Sequence, residues 1–250
     1  MINAFIIGIR GKMGSNLISC AESCGFTVTG GLDLTECENP KTFTDPQKAD
    51  VPYDVIIDFS SPSVNTLEAI KFLCLKNDCP AVIATTGYGE KYRNAITDLS
   101  KSVPVFMSAN FSLGVAAAKE AIKAVKKVLG NDFDIEIVEK HHKSKTDSPS
   151  GTALSLINAI SDGKTVVYNR NGKRGSNEIG VSSVRGGGVI GEHEVGFYGE
   201  NEVITVTHTA LSRKLFALGA FKAAAFVIGK PPGLYGMDDL TAELIQTKIL

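Results

Sequence analysis

The first half of the chain alternates continuous apolar runs with segments of helical spacing. Met13, Leu17 and Ala21 recur at helical spacing after the first run, and Ser61 and Pro62 predict the start of another helix. Runs typical of strands buried on both faces are NAFIIGI (3–9), TVTGGLD (27–33), YDVIIDFS (53–60), PAVIATTG (80–87) and VPVFMSANF (103–111). This alternation predicts an α/β, Rossmann-like domain with a parallel sheet.

The pattern changes after Asn110. Val115, Ile122 and Leu129 mark one long amphipathic helix that ends at Gly130. DFDIEIV (132–138) alternates as a half-exposed strand does, and the run 192–212 predicts an antiparallel hairpin turning at 199–201. These features predict a second, α+β domain with an antiparallel sheet. The apolar helix predicted at 216–230 would pack on the first sheet, which places domain one at 1–111 and 214–250 and domain two at 112–213.

Composition and charge narrow the classes of partner. The 250 residues are 43% hydrophobic and 21% charged, with a formal net charge of −1, so nothing global predicts a nucleic-acid or anionic-membrane partner. No run approaches the roughly 18 apolar residues of a membrane-spanning helix. The five cysteines are odd in number and form no Cys-x-x-Cys pair, which predicts a reduced, cytoplasmic protein.

A glycine-rich loop joins the first predicted strand to the first predicted helix. Gly8, Gly11 and Gly14 permit a tight turn, and the amides of the helix N-terminus would meet a pyrophosphate. Asp33 closes the second strand, 19 residues after Gly14, where an acid would bond a ribose hydroxyl. The order of these features predicts dinucleotide binding. Asp33 favours NADH, whereas the loop cations Arg10 and Lys12 favour NADPH, and both remain open.

A basic segment, EKHHKSKTDSPSGTAL (139–154), carries the second candidate chemistry. His141 and His142 must point to opposite faces of a strand, so one could exchange a proton while the other binds a ligand. Lys145 follows, and the turn Ser150–Thr152 starts a predicted helix whose amides would bind a carboxylate or phosphate. The segment therefore predicts an anion site with a proton donor.

Two other chemistries for the same residues are disfavoured. His141, His142, His193 and His208, with Glu192 and Glu194, could supply metal ligands. They form no helical His-x-x-x-His or Cys/His spacing, and no metal is predicted. Ser150 lacks the Gly-x-Ser-x-Gly elbow of a nucleophilic serine.

The segment 139–154 closely resembles the signature segment of the dihydrodipicolinate reductases, also called 4-hydroxy-tetrahydrodipicolinate reductases. These are enzymes of the diaminopimelate route to lysine. The resemblance extends over nearly the whole chain, through GIRGKMG, DVIIDFSSP, ATTGY, SANFSLGV, SVRGGGVIGEHEV and GLYGMDDL. It implies a Rossmann domain closed by the C-terminal helix and an α+β substrate domain whose sheets assemble a homotetramer.

The resemblance also assigns site residues. For NADH or NADPH it implies Gly8, Ile9, Arg10, Gly11, Lys12 and Met13 at the pyrophosphate, Asp33 at the ribose, and Ala84, Thr85, Thr86, Ser108, Ala109, Asn110 and Phe111 along the remainder. His141 would be the proton donor and acceptor and Lys145 a proton donor. His142 and the turn of Ser150, Gly151 and Thr152 would hold the carboxylates of the substrate.

The implied reaction is reduction of a small cyclic dicarboxylate with a conjugated imine. Hydride adds at C4, and protonation at C3 needs an acid such as histidine. Departures from the family pattern are Ala84 in place of glycine, Lys12 in place of arginine, and Lys143 and Ser144 where arginine and histidine are frequent. The alternatives are another NAD(P)-dependent amino-acid dehydrogenase of the same plan and a non-catalytic NAD(P)H sensor.

Overall fold

The structure is a computed structural model that describes residues 1–62, 64, 66–87 and 89–247. The chain divides into two compact units, Met1–Ser112 with Arg213–Leu250 and Leu113–Ser212. Helices in the described part of the chain all lack the length and apolar composition needed to cross a membrane.

The strands and helices follow one another in an α/β order. The strands are β1 Ile2–Ile7, β2 Phe26–Leu32, β3 Cys37–Glu38, β4 Lys41–Phe43, β5 Val55–Asp58, β6 Ala81–Ile83, β7 Pro104–Met107, β8 Asp134–His141, β9 Thr165–Tyr168, β10 Glu178–Arg185, β11 Glu192–Tyr198, β12 Val203–Thr209 and β13 Gly233–Tyr235. The α-helices are α1 Lys12–Cys20, α2 Leu67–Asn77, α3 Glu90–Leu99, α4 Leu113–Leu129, α5 Gly151–Ile160, α6 Lys214–Val227 and α7 Met237–Thr247.

The first unit is built on one sheet of order β13-β7-β6-β5-β1-β2-β4-β3. Its strand pairs are parallel except for the short hairpin of β3 and β4. The central strands are apolar because both faces are covered: Phe5, Ile56 and Val82 are fully buried. The predicted Rossmann-like parallel sheet is therefore confirmed.

Helix α6 packs on this sheet, against β5, β6 and β7, as its small-residue sequence predicts. Ala217, Ala220 and Ala224 are fully buried, which lets the helix approach closely. At Gly219 a Cβ would lie 1.6 Å from the carbonyl oxygen of Phe111, so only glycine fits there.

The start of α2 differs from the sequence expectation at Ser61 and Pro62. The helix begins at Leu67, with Thr66 as its N-cap residue. Before it, the chain makes a turn in which the amide of Val64 donates to the carbonyl of Ser61 (3.0 Å). The Ser-Pro pair therefore initiates a turn, another structure that these residue types favour.

The second unit has a five-stranded sheet of order β12-β11-β8-β10-β9. It is mixed, not antiparallel as expected: β8 pairs with β10, and β10 with β9, in parallel. The parallel half follows from the long connection through α5, which returns the chain in the direction of β8. Buried Ile135, Ile137, Ile179, Val181 and Leu156 join the sheet to its helices in one core.

Two predicted features of this unit are confirmed. Helix α4 ends at Leu129, and the amide of Gly130 (φ +63°) donates to the carbonyl of Lys126 (3.0 Å). Strands β11 and β12 form the predicted hairpin, closed by the Gly199 amide and the Glu202 carbonyl (2.9 Å).

Candidate active site

The glycine loop of the first unit needs its glycines for its own backbone. Gly8 has a φ of +82°, and a Cβ there would lie 2.9 Å from the carbonyl oxygen of Phe59. A Cβ on Gly14 would lie 2.2 Å from the carbonyl oxygen of Ile9. Gly11 is the N-cap of α1, so the loop delivers the chain directly to a helix N-terminus. This is the geometry that binds a phosphate group through backbone amides.

Asp33 lies beside this loop because β1 and β2 are parallel neighbours. Its Oδ2 accepts a hydrogen bond from the amide of Arg10 (2.8 Å), and its Oδ1 accepts one from the amide of Leu34 (2.8 Å). The two amides fix the carboxylate at the carboxyl end of β2. In a Rossmann domain an acid at this place bonds the hydroxyls of a ribose.

The loop and Asp33 line one cavity of about 640 Å³. Four of the residues predicted for the cofactor lie in its wall: Gly8, Arg10, Gly11 and Asp33. The wall also includes residues that were not assigned to the cofactor from the sequence: Leu34, Thr44, Pro46, Phe59, Ser60, Ser61, Val64, Thr66 and Ala69. Several of them follow β5, which pairs with β1, so they could have been found from the rule that strand ends meet at one sheet edge.

The other residues predicted for the cofactor lie outside the lining of this cavity. Lys12 and Met13 belong to the first turn of α1, and Ile9 is buried in the core. Ala84, Thr85 and Thr86 follow β6, the next strand beyond β5. Ser108, Ala109, Asn110 and Phe111 follow β7.

The segments after β6 and β7 are held by internal hydrogen bonds. The Ala84 amide donates to the carbonyl of Asp58 (2.9 Å), and the hydroxyls of Thr85 and Ser60 lie 3.2 Å apart. The Ser108 hydroxyl bonds the carbonyl of Asn110 (2.8 Å). The Phe111 ring packs against Phe59 and Phe106, so its side chain is part of the core. The side chains of Thr85 and Phe111 are thus buried beneath the segments that follow β6 and β7, and they support those segments from the interior.

Asp58 is a fully buried carboxyl group at the end of β5 that the sequence reasoning did not select. Its Oδ1 accepts a hydrogen bond from the amide of Ser60 (3.1 Å). Burial raises the pKa of Asp58, although hydrogen bonds from Ser60 and Thr85 oppose that effect. The group therefore joins the segments that follow β5 and β6.

The basic segment of the second unit starts on β8. His141 is the last residue of this strand and is buried, whereas His142 is half-buried and its Nδ1 lies 2.9 Å from the hydroxyl of Ser144. Lys145 forms an ion pair with Asp147 (2.7 Å), and its amide donates to the carbonyl of His142. The two histidines therefore lie in different surroundings, as their adjacency predicts.

Glu139, which the sequence reasoning did not select, is the centre of this site. Its side chain is fully buried, and its Oε2 contacts Nδ1 of His141. Arg185 donates to both carboxylate oxygens, at 3.0 Å and 2.7 Å. The amide of Ser150 donates to Oε1 (3.2 Å). One buried carboxylate thus joins β8, β10 and the start of α5.

The turn at 150–152 begins α5 as predicted, with Ser150 as the N-cap. The Ser150 hydroxyl accepts from the amide of Ala153 (3.1 Å) and lies 3.0 Å from Nε2 of His193. Ser150 is buried with both its hydroxyl and its amide bonded inside the protein, so it holds the turn in place. Gly151 is exposed and Thr152 half-buried, both in the first turn of α5.

The electrostatics of the site follow from burial and charge. Burial raises the pKa of Glu139, but hydrogen bonds from Arg185, Ser183 and His141 outweigh it and lower the pKa to about 2. Burial lowers the pKa of His141, while Glu139 opposes the shift. Burial and the neighbouring His141 lower the pKa of His193 to about 4. Glu139 is therefore charged and both histidines are predominantly neutral at pH 7.

A metal ion is the other chemistry that these groups could support. Potential ligand atoms of Glu139, His141 and His193 lie within 4.8 Å of one another, a grouping that sequence spacing did not predict. The guanidinium of Arg185, however, bonds both oxygens of that carboxylate. A cation would have to displace this charge or share the carboxylate with it, so the arrangement favours proton chemistry.

The other ring nitrogen of His141 faces Gly191. A Cβ at position 191 would lie 3.1 Å from Nε2 of His141 and 3.8 Å from the His193 ring. The rings of His141 and His193 meet edge to face, with centroids 5.1 Å apart. Glycine at 191 therefore leaves space at the nitrogen that Glu139 does not contact.

Comparison with known proteins gives the same family for both halves of the chain. The family model described as "Dihydrodipicolinate reductase, N-terminus" matches residues 2–111, and "Dihydrodipicolinate reductase, C-terminus" matches residues 114–241. The 4-hydroxy-tetrahydrodipicolinate reductase of Caldanaerobacter subterraneus subsp. tengcongensis is 44% identical over 252 residues, covering 96% of this chain and 98% of the relative. That of Clostridium tetani is 41% identical over 247 residues, covering 95% and 96%.

Solved structures agree with this assignment. Dipicolinate-bound dihydrodipicolinate reductase from Paenisporosarcina sp. TG-14 matches with a TM-score of 0.75 and 26% identity, covering 96% of this chain and 99% of the other. Aspartate dehydrogenase from Thermotoga maritima has a TM-score of 0.52 at 14% identity, covering 92% and 98%, and shows the fold alone. The chain therefore belongs to the dihydrodipicolinate reductase family of NAD(P)H-dependent oxidoreductases.

Proposed function

We propose that this chain reduces 4-hydroxy-tetrahydrodipicolinate to tetrahydrodipicolinate with NADH or NADPH and with the loss of one water, in the diaminopimelate route to lysine. The observation that carries the proposal is the similarity to reductases of that name over nearly the full chain. The buried contact between Glu139 and His141, next to the start of α5, supports it because the reaction needs an acid beside an anion site.

The first unit, together with its C-terminal helices, would hold the cofactor. The amides at Gly8–Met13 would meet the pyrophosphate, and Asp33 would meet the adenosine ribose. Residues 84–86 and 108–111 would line the remainder of the cofactor site, through backbone and small polar groups. The fit rests on the cavity beside the loop and on Gly8, where a side chain would collide with Phe59. Bound NADH or NADPH would supply the hydride that adds to C4 of the conjugated ring, after the C4 hydroxyl group has left as water.

The second unit would hold the substrate. His142, Lys145 and the first-turn amides of α5 at Gly151 and Thr152 would bind its carboxylates, because cations and helix N-termini attract anions. Ser150 would act by fixing this turn. The dipicolinate bound to the relative from Paenisporosarcina sp. TG-14, a planar ring dicarboxylate, supports this class of substrate.

His141 would give the proton to C3. Its Nδ1 faces Glu139, so Nε2 is the nitrogen left to exchange a proton with a ligand. Lys145 would be a second proton donor beside His141, since its ammonium group is close enough to lower the pKa of that ring. Nε2 must be protonated before the transfer, which makes the acid form of His141 the reactive one.

We further propose that the chain acts in the cytoplasm as a homotetramer assembled through the second unit. The outward face of the sheet in that unit carries exposed Val184, Tyr198 and Val203 opposite the face covered by helices. A second copy of the chain covering this face would remove that apolar surface from water.

A steady-state assay tests the catalytic proposal. Freshly made product of dihydrodipicolinate synthase is added with NADH or NADPH, and consumption of the cofactor is followed for each. Reduction with either cofactor is the expected result, and no turnover with both overturns the proposal. Cofactor binding without turnover would indicate the sensor alternative. NAD(P)-dependent oxidation of an amino acid would indicate the dehydrogenase alternative.

A further inference from the structure

Glu139 and His141 lie two residues apart on β8, so their side chains share the face that is covered by helices. Residues on this face are buried, and Glu139 has no exposed surface at all. A charged carboxylate at such a position is costly unless every oxygen is bonded. Here the two oxygens receive contacts from His141, from two guanidinium nitrogens of Arg185 and from the Ser150 amide.

A carboxylate in this state can only accept hydrogen bonds. Its contact with Nδ1 of His141 therefore requires the proton to be on that nitrogen, and the neutral ring keeps its lone pair on Nε2. The planar fork of Arg185 also fixes the plane of the carboxylate, because the two guanidinium nitrogens bond different oxygens. The contact thus determines both the tautomer and the orientation of the ring.

We propose that Glu139 is the positioning residue of His141 and that Arg185 holds Glu139 in place for this task. This inference rests on the proposed function, because it assigns the support of the proton donor of that reaction. In this role neither residue would touch the substrate. Both act through the orientation of His141, so that Nε2 is the nitrogen that exchanges the proton.

The same carboxylate also supports the anion-binding turn. Its Oε1 accepts from the Ser150 amide, the residue that caps α5. The proton donor and the first-turn amides at Gly151 and Thr152 are therefore tied to one buried group. A change at Glu139 that moved only the turn would weaken substrate binding, whereas a change that moved the His141 ring would slow turnover. The ratio of these effects separates the two roles.

The charges around His141 lead to a second prediction, which concerns the pKa of this histidine. The groups that face it are Glu139, Lys145, Arg185 and the ring of His193. Glu139 is the one anion among them, so removing its charge leaves burial and two cations acting on the imidazole. The pKa of His141 then falls further below its ordinary value. Because the acid form reacts, the pH above which kcat/KM declines would move to lower pH.

Glu139→Gln is the main variant because it keeps the shape and removes the charge. Its amide nitrogen cannot accept a hydrogen bond, so one contact with Arg185 or His141 is lost. We expect kcat to fall by about 10²- to 10⁴-fold, with KM changed by less than about threefold. The declining limb of the pH profile of kcat/KM should shift to lower pH.

The tautomer of His141 is measured separately, by ¹⁵N spectra of histidine-labelled protein without substrate. The chain has four histidines, and the signal lost in His141→Asn assigns the one of interest. Wild-type protein should show Nδ1 protonated at neutral pH, and Glu139→Gln should show a mixed or reversed tautomer. This readout requires no turnover, so it tests the geometry even if the proposed reaction is wrong.

Two further variants separate positioning from folding. Arg185→Lys keeps the charge without the planar fork, and we expect a kcat between those of wild type and Glu139→Gln. Glu136→Gln is the matched control, since Glu136 lies on the same strand, pairs with Arg170 (2.7 Å) and points to the opposite face. It should leave the tautomer and the pKa of His141 unchanged.

The outcomes are distinct. If the wild type reduces the substrate and Glu139→Gln keeps its kcat, pH profile and His141 tautomer, the inference is overturned and the proposed function stands. If Glu139→Gln unfolds, Arg185→Lys decides: unchanged kcat and tautomer overturn the inference. If the wild type lacks turnover, the proposed function fails, and with it the catalytic part of the inference.

Discussion

The hydroxyl of Ser150 lies 3.0 Å from Nε2 of His193, and the same hydroxyl accepts the amide hydrogen of Ala153. Ser150 starts α5, whereas His193 belongs to β11. Both residues are buried, so neither polar group can exchange its partner for bulk water. One hydroxyl therefore caps a helix and bonds one ring nitrogen of a core histidine.

Ser150→Ala should destabilise the protein by about 1–3 kcal/mol. The variant loses an N-cap, which is worth about 1 kcal/mol, and it leaves the buried His193 nitrogen without this partner. Urea unfolding at pH 7 measures the change in the free energy of unfolding. Ser155→Ala is the matched control, because Ser155 is exposed on the same helix and its loss should change stability by less than about 0.5 kcal/mol. Equal effects of the two variants would contradict the structural role of Ser150.

His141→Gln should reduce turnover by about 10²- to 10⁴-fold, the usual contribution of a general acid. The residue lies in the second unit, so the affinity for NADH, measured by fluorescence titration, should be unchanged. Turnover close to that of the wild type would remove His141 from the mechanism.

Lys145→Ala should lower turnover as well, and it should also raise KM because a cation beside a substrate carboxylate is lost. Asp147→Asn is a useful comparison, since it frees the ammonium of Lys145 from its ion pair of 2.7 Å but keeps the charge. The changes in kcat and KM, measured by steady-state kinetics, should therefore differ between the two variants in sign or size, and Lys145→Ala should be the more impaired. A kcat and KM for Lys145→Ala equal to the wild-type values would contradict a role for this lysine.

Asp33→Ala should change the choice of cofactor. The carboxylate at the end of β2 favours ribose hydroxyls and repels a 2′-phosphate, and its orientation is fixed by the amides of Arg10 and Leu34. We expect the ratio of NADPH to NADH affinity to rise by about tenfold, equivalent to about 1.4 kcal/mol. Dissociation constants for both cofactors, measured with Glu38→Gln as an exposed control, give this ratio. An unchanged ratio would mean that Asp33 does not face the ribose.

The parts of the site that lie together in sequence could be predicted from the sequence. The glycine loop, Asp33 and the basic segment can each be recognised from the residue types within a short stretch of sequence. The start of α5 at Gly151 is also local, because Pro149 and Ser150 are turn and cap residues.

The support of His141 could not be predicted, because strand register creates it. Arg185 reaches Glu139 since β8 and β10 are parallel and pair His141 with Arg185. His193 reaches the same place since β8 and β11 are antiparallel and pair Glu139 with His193. Sequence patterns predicted the strands β8 and β11, but no local pattern fixes which residues become partners across a sheet. The parallel pairing of β10 was also missed, because a crossover through α5 leaves no turn motif between the paired strands.

Acid should destabilise the protein over a pH range that is set by the pKa of His193. Its pKa is about 4 in the folded protein and 6.5 in an ordinary environment, so the unfolded chain binds the proton more readily. The stabilising contribution of the neutral ring is complete above pH 6.5 and is lost as the pH falls toward 4, by at most about 3 kcal/mol. Glu139, with a pKa of about 2, contributes in a separate window below its ordinary 4.5.

His193→Asn keeps a polar partner for Ser150 but removes the titrating ring, so it separates the two effects. The free energy of unfolding, measured in urea between pH 8 and pH 4.5, should depend less steeply on pH in the variant below pH 6.5. A residual slope is expected from His141 and His208, whose pKa values burial also lowers. Above pH 7.5 the difference between variant and wild type should be nearly constant, because His193 is predominantly neutral in both states there. Parallel curves down to pH 4.5 would show that His193 is accessible to protons in the folded protein, and that its bond to Ser150 does not hold the ring in the core.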